Sequence, residues 1–141
     1  MTYLMEDAWE SEDAWNEELT EQTDNHTAPK NQLVKATKDF VKAVKDYIDE
    51  NYQEQLSLQN LANRFYINKE YLTKLFKETY GYTVNGYISH VRISRAKELL
   101  RFTDMTVSEI GYAVGIADEN YFSRVFKRVE GISPSKYRAS W

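Results

Sequence analysis

The sequence predicts an all-α fold of about seven helices, organised as two helix-turn-helix units joined by a long bridging helix. Three observations predict it. Apolar residues recur at helical spacing from Leu33 onward, and no stretch keeps the period-two alternation of a strand. Helix-starting and helix-stopping residues fall at the ends of those runs. The later part of the chain repeats the earlier part at an offset of about 50 residues.

Residues 1–30 hold nine acids against one base, net −8, with too little apolar content for a core, and read as an acidic tail or linker. Leu4, Met5, Ala8, Trp9, Trp15 and Leu19 are the exceptions and could line one side of a short helix. The first helix carries Leu33, Thr37, Phe40, Val41, Val44, Tyr47 and Ile48 on one face, with Lys35, Lys38, Lys42 and Lys45 on others. A polar stretch, residues 51–55, ends it. Ser57 then stands at the N-cap of a second helix through Leu58, Leu61, Ala62 and Phe65. After a turn at Tyr66-Ile67-Asn68, a third helix runs from Lys69 to about Thr79 and stops at Gly81. The bridging helix spans about residues 84–102 and carries Ile88, Val91, Ala96, Leu99 and Leu100. Thr106 opens another short helix, Val114-Gly115-Ile116-Ala117 make a turn, and Asp118 caps a helix that ends at Gly131. Ser133-Pro134 begin the last one, with proline in its first turn.

The 141 residues are enough for one domain or two small ones. Hydrophobic residues at 42% and charged residues at 28% match a soluble globular protein. No apolar run approaches the ~18 residues that span a bilayer, the first residues lack the basic start of a secretory signal, and cysteine is absent. A cytoplasmic protein without disulfides is expected. The net charge of −4 conceals a division: residues 31–141 hold 17 bases and 13 acids (+4), and from Gln55 onward there are 13 bases and 8 acids (+5). The chain is an acidic tail on a basic body. His26 and His90 stand far apart with no ligand motif, and no phosphate loop, nucleophile elbow or zinc-protease helix is present. Catalysis, a metal site and a cofactor are therefore not expected.

The repeat is detailed. At offset 50, Tyr71, Phe76, Lys77, Gly81 and Tyr87 fall on Tyr121, Phe126, Lys127, Gly131 and Tyr137. Upstream of the turn the offset is 49: Ser57 pairs with Thr106, Leu61 with Ile110, Ala62 with Gly111, Phe65 with Val114 and Ile67 with Ile116. One residue has been added in the second turn. A small residue, Ala62 or Gly111, permits the two helices of each unit to cross closely.

At about 100° per residue, Lys69, Glu70, Thr73, Lys74 and Lys77 fall within an arc of roughly 140°, opposite Tyr71, Leu72, Leu75 and Phe76. In the second copy Glu119, Asn120, Ser123, Arg124 and Lys127 occupy the same arc, facing away from Tyr121, Phe122, Val125 and Phe126. Either helix alone would read as an ordinary amphipathic helix with a solvated charged face. Two copies of one polar arc, both rich in side chains that read bases or bind phosphates, point to DNA. Arginine or lysine addresses guanine O6 and N7, asparagine pairs with adenine, and the threonine methyl touches thymine. Glu70 and Glu119 fit less easily, since a carboxylate among phosphates must accept from cytosine N4 or orient a neighbouring base.

Several blocks are familiar: Ser57-Leu58-Gln59-Asn60-Leu61-Ala62, Tyr71-Leu72-Thr73-Lys74-Leu75-Phe76-Lys77, Arg92-Ile93-Ser94-Arg95-Ala96-Lys97-Glu98-Leu99-Leu100, and Tyr121-Phe122-Ser123-Arg124-Val125-Phe126-Lys127 continuing to Gly131-Ile132-Ser133-Pro134-Ser135-Lys136-Tyr137-Arg138. Over about residues 40–139 the sequence resembles the DNA-binding domain of AraC/XylS-type bacterial transcription regulators, most of all the version at the C-terminus of YesN-like two-component response regulators. The resemblance implies two recognition helices entering successive major grooves, about 34 to 36 Å apart, with some selectivity from DNA deformability. It implies base contacts by Glu70, Thr73, Lys74, Glu119, Asn120 and Arg124, with Lys69 and Ser123 beside them. Phosphate contacts are implied for Lys77, Lys127, Ser57 and Thr106, with Lys136 and Arg138 as further backbone candidates. Arg92, Arg95 and Arg101 would support the backbone contact or pair with nearby acids. Two departures stand out: Ile116-Ala117 replaces the usual Phe-Ser, and Tyr66 occupies the turn position matched by Gly115.

The expected partners are double-stranded promoter DNA and RNA polymerase in transcription activation, plus an upstream sensor or receiver domain if the chain is a fragment. No membrane partner is expected. The alternative is a helical protein-interaction module whose basic face binds an acidic partner. The −8 tail beside the +4 body also raises the expectation that the tail, anchored by Trp9 and Trp15, folds back and competes with DNA.

Overall fold

The computed structural model describes the backbone from Lys30 and the side chains from Lys38 to Trp141, so both expectations for the acidic tail lie outside the described residues. Every regular element within that span is helical: α1 (Lys30–Asn51), α2 (Leu58–Arg64), α3 (Lys69–Tyr80), α4 (Val84–Phe102), α5 (Val107–Ala113), α6 (Glu119–Glu130) and α7 (Pro134–Ala139). The all-helical expectation holds. The short helices are too short to persist alone in water, and caps define their ends. Ser57 Oγ accepts from the Asn60 N–H at 3.0 Å, Asn68 Oδ1 from Tyr71 at 3.0 Å, Asp118 Oδ1 from Tyr121 at 2.9 Å and Ser133 Oγ from Lys136 at 3.2 Å. Asn68 and Asp118 are the same cap one repeat apart. Asp118 is the predicted cap, whereas Asn68, expected in a turn, caps α3 in the same way.

Thr106 starts α5 with a reciprocal pair: its Oγ1 accepts from the Glu109 N–H at 3.1 Å, and its own N–H donates to Glu109 Oε1 at 2.8 Å. The Thr106 backbone N–H, followed by its hydroxyl, holds the Glu109 carboxyl below the ordinary value near 4.5. A lowered carboxylate pKa adds stability that is complete above the unfolded-state value and is lost as pH falls through the folded one. Thr106→Ala is expected to cost about 1 kcal/mol through the lost hydroxyl cap. Urea midpoints should show the gap from the parent protein narrowing as pH falls from 7 through the lowered titration of Glu109.

The described chain separates into two compact units. The first combines α1 up to Glu50 with residues Leu56–Gly86; the second combines Asn51–Gln55 with Tyr87–Trp141, so the division falls inside α4. In the first unit Val41, Val44 and Ile48 of α1, Leu61 and Ala62 of α2, and Leu72, Leu75 and Phe76 of α3 are buried. Phe65 receives the rings of Phe40 and Tyr47 edge-on, at 5.8 and 6.0 Å. These contacts fasten α1 to the helix-turn-helix.

In the second unit Ile93, Ala96, Leu100, Ile110, Val114, Ile116, Phe122, Val125 and Phe126 form one cluster, with Leu99, Met105, Val107 and Tyr137 packed on it. Ile93 is wholly buried, whereas Val91, which the spacing names instead, is half-exposed. Arg92 anchors residues 51–55: its Nε donates to the Tyr52 carbonyl and its Nη2 to the Glu54 carbonyl, both at 2.8 Å. Burial lowers its pKa from the ordinary guanidinium value, and the two carbonyls satisfy a guanidinium that stays charged. Lys97 pairs with Glu130 at 3.0 Å, which fixes the end of α6 on α4.

Candidate nucleic-acid interface

The repeated sequence folds into a repeated hydrogen-bond pattern. Phe65 and Val114 close their helices by donating to Leu61 and Ile110 at 3.1 and 3.0 Å. Tyr66 and Gly115 donate to Asn63 and Tyr112 at 3.3 and 3.2 Å, and Ile67 and Ile116 reach back to Ala62 and Gly111 at 2.9 and 2.8 Å. The added residue of the second copy is Ala117, exposed between Ile116 and the cap Asp118. Ile116, where an aromatic is usual, is buried in the core, and Asp118 takes the cap.

Two positions in these turns are tight. A Cβ on Gly111 would lie 2.9 Å from the Ile116 carbonyl oxygen and 3.1 Å from the Phe122 ring, so the second copy needs glycine where the first accommodates Ala62. Gly115 has φ +97°, and a Cβ there would meet the Tyr52 and Gln53 carbonyl oxygens at 2.8 and 3.0 Å. Its counterpart Tyr66 takes φ +55° with a side chain 97% exposed. There the left-handed turn is made without glycine, at a strain of ~1–2 kcal/mol.

Both second helices are pinned from behind. Leu72, Leu75 and Phe76 on α3, and Phe122, Val125 and Phe126 on α6, are buried, each full burial stabilising by ~1.5–3 kcal/mol. On α6 the opposite arc is presented: Glu119, Asn120, Arg124 and Lys127 are exposed and Ser123 is half-exposed. The Arg124 guanidinium lies 5.9 Å from the Tyr121 ring centre.

The α3 arc differs. Lys69 is exposed, and Glu70 and Lys77 are half-exposed. Thr73 and Lys74 are buried, at 2% and 8% exposure, contrary to the outward-facing arc that helical periodicity predicts. The Thr73 hydroxyl donates to the Lys69 carbonyl at 2.9 Å, and Lys74 Nζ stands 3.9 Å from Glu78. Periodicity identifies the side of the helix and not what stands against that side.

Glu70 and Glu119 acquire a structural explanation. Each sits in the first turn of its helix, with Lys77 in the last turn of α3 and Lys127 and Arg128 in the last turn of α6. That distribution complements the helix dipole. The capping hydroxyls of Ser57 and Thr106 use an oxygen lone pair for the cap, and a hydroxyl hydrogen still has donor capacity toward a phosphate.

Of the remaining basic candidates, Lys136 is exposed. Arg138 is put to a different use from the expected DNA-backbone contact: Nε donates to the Leu100 carbonyl at 3.1 Å and Nη2 to the Thr103 carbonyl at 3.3 Å, closing the end of α4. Arg95 pairs with Glu98 at 3.0 Å, and Arg101 stacks between Phe102 and Trp141, 4.8 and 3.6 Å from their ring centres.

No group of three or more acidic or histidine side chains suited to a metal occurs among the described residues. No helix among them is long and apolar enough to cross a membrane. A hollow lined by Asn60, Asn63, Arg64, Phe65 and Tyr66 is open and lacks an acid–base pair.

A family model described as a helix-turn-helix domain matches residues 61–140. The uncharacterized HTH-type transcriptional regulator YijO of Escherichia coli is 41% identical over 99 residues, which is 70% of this chain and 35% of that protein. The chain spans about a third of the length of such curated relatives. Among solved structures, the C-terminal domain of the two-component response regulator YesN from Fusobacterium nucleatum superposes with TM-score 0.66 at 33% identity, covering 69% of this chain and 95% of that one. The DNA-binding domain of AdpA, a global transcriptional factor solved in complex with a target DNA, gives TM-score 0.67 at 26% identity, covering 71% and 90%.

Proposed function

This chain belongs to the AraC-type family of helix-turn-helix DNA-binding domains, and we propose accordingly that it binds double-stranded promoter DNA sequence-specifically to regulate transcription, without chemistry of its own. The observation that carries this reading is the exposed arc Glu119, Asn120, Arg124 and Lys127 on α6, a helix fixed from behind by three buried side chains. The AdpA domain, bound to its target DNA, supports it. Arg124 addresses guanine and Asn120 adenine in a major groove, with Ser123 beside them. Lys127, Lys136 and the Thr106 hydroxyl meet phosphates. Glu119 at the helix start orients neighbouring donors. In the first copy the exposed Lys69 and the half-exposed Glu70 and Lys77 take the corresponding places in the adjoining groove, with Ser57 on its backbone, whereas Thr73 and Lys74 are buried behind them. Arg138 acts by holding α7 and α4 together.

At the scale of the intact protein, we place the chain in the cytoplasm as the DNA-binding part of an activator. RNA polymerase is its partner at the promoter, and a sensor or receiver domain supplies the signal.

Selection of bound sequences from a random duplex pool tests the central reading. It should return two short conserved blocks about one helical turn apart. Affinity for the selected site should fall with salt, with a slope of log K against log salt of about −5 to −7, as expected for roughly five to eight neutralised phosphates. A pool that yields no preferred sequence would favour the acidic-protein partner instead.

A further inference from the structure

Arg124 stands against a ring where its counterpart in the first copy stands against a carboxylate. In α3, Lys74 Nζ is 3.9 Å from Glu78, one turn further along. In α6 the position matching Glu78 is Arg128, with Lys127 beside it, so the C-terminal side of Arg124 carries like charges that repel it. No carboxylate among the described residues lies within ion-pair distance of Arg124. What it meets is Tyr121, three residues earlier, whose ring centre is 5.9 Å from the guanidinium carbon. Side chains on an α-helix lean toward its N-terminus, which brings residue 124 over residue 121. A guanidinium within about 6 Å of an aromatic face is attracted by the charge distribution of the ring. We infer that Tyr121 is a positioning residue for base readout: its ring holds the Arg124 guanidinium over the first turn of α6, so that preference for the base Arg124 meets depends on an aromatic face at position 121. This rests on the reading above that Arg124 meets a base.

The ring is itself fixed. The Tyr121 N–H donates to Asp118 Oδ1 at 2.9 Å, and Phe122, next in the chain, is wholly buried. Tyr121 is 37% exposed, so most of its surface is packed against protein. Burial lowers the Arg92 pKa and Tyr121 opposes that shift, which puts Tyr121 near a second guanidinium, the one tied to the Tyr52 and Glu54 carbonyls. The platform therefore belongs to an anchored part of its unit, while Arg124 is exposed. An arginine gives up much rotamer freedom when it is held at a partner. A ring that restrains the side chain beforehand removes part of that cost. Its lean toward the N-terminus also delivers the guanidinium, with Asn120, to the end of the helix that enters a groove. At an exposed site such a contact changes an equilibrium about two- to fivefold.

The test uses the full chain and its variants Y121L, Y121M, Y121F, R124A and Y121L/R124A, with competition binding between the selected site and all its single-base variants. At the position that R124A flattens, Y121L should reduce the preference about two- to fivefold, with preferences elsewhere in the site unchanged. Y121M, a second non-aromatic side chain, should match it. Y121F keeps the aromatic face and should retain the parent preference. In the R124A background Y121L should change that preference no further, because the ring acts through the guanidinium. A role in packing alone would instead weaken every sequence evenly, in either background. Parent-like preference in Y121L and Y121M, or an even loss across all sequences, overturns the inference while the DNA reading stands. Loss in Y121F as large as in Y121L also overturns it, since the hydroxyl and not the ring face would then be responsible. If the parent shows no base preference, or R124A leaves every preference intact, the reading of Arg124 fails and the role of Tyr121 falls with it.

Discussion

Arg124→Ala should abolish base preference at one position of the bound site and cost about 1–3 kcal/mol against the preferred base there, roughly five- to 150-fold. Lys127→Ala, one turn further along α6, should weaken all sequences nearly alike and reduce the magnitude of the salt slope by about 1. Competition binding against every single-base variant of the selected site distinguishes the two patterns. The contrast follows from position on one exposed arc. Arg124 lies near Tyr121 in the first half of α6, the part of a recognition helix that enters the groove, whereas Lys127 lies in the last turn. If both variants lose affinity evenly across all sequences, Arg124 is a phosphate contact and the assignment of roles is wrong.

Gly115→Val should have the largest effect on stability, a loss of about 3 kcal/mol or more, measured by urea denaturation followed by circular dichroism. Two costs combine. A β-branched residue is strained at φ +97°, and its Cβ would press on two backbone carbonyls, of Tyr52 and Gln53, that cannot rotate aside as a side chain would. Those carbonyls belong to the segment that Arg92 anchors, so backbone amides of residues 51–55 should exchange faster as well. The reciprocal substitution, Tyr66→Gly, should stabilise by up to about 1 kcal/mol, because the strained residue there is exposed and nothing crowds it. A Gly115→Val protein as stable as the parent would show that the 51–55 segment yields readily and that the close approach is not a constraint.

The turn chemistry shows how much of this fold is legible in residues alone. Ser57, Thr106, Asp118 and Ser133 are visible as helix starts because a cap needs a short oxygen-bearing side chain three residues ahead of the N–H it satisfies. The close approach of Gly115 to Tyr52 is not visible, because it joins residues 63 positions apart through a contact that no local pattern encodes. The same limit applies to Arg92 and Arg138. Both fit a DNA-facing role by composition, and both are committed to carbonyls 35 to 40 positions away.

The sequence by itself determined the helical class, the order of the helices, the duplication and the side of α3 and α6 that carries the polar arc, since these depend on periodicity, capping and self-similarity over short spans. Only the tertiary structure decided which of those polar side chains are exposed. The arcs of α3 and α6 read alike, but Lys74 is buried and Arg124 is exposed, because exposure is a property of everything that packs beside a helix and not of the helix's own residues.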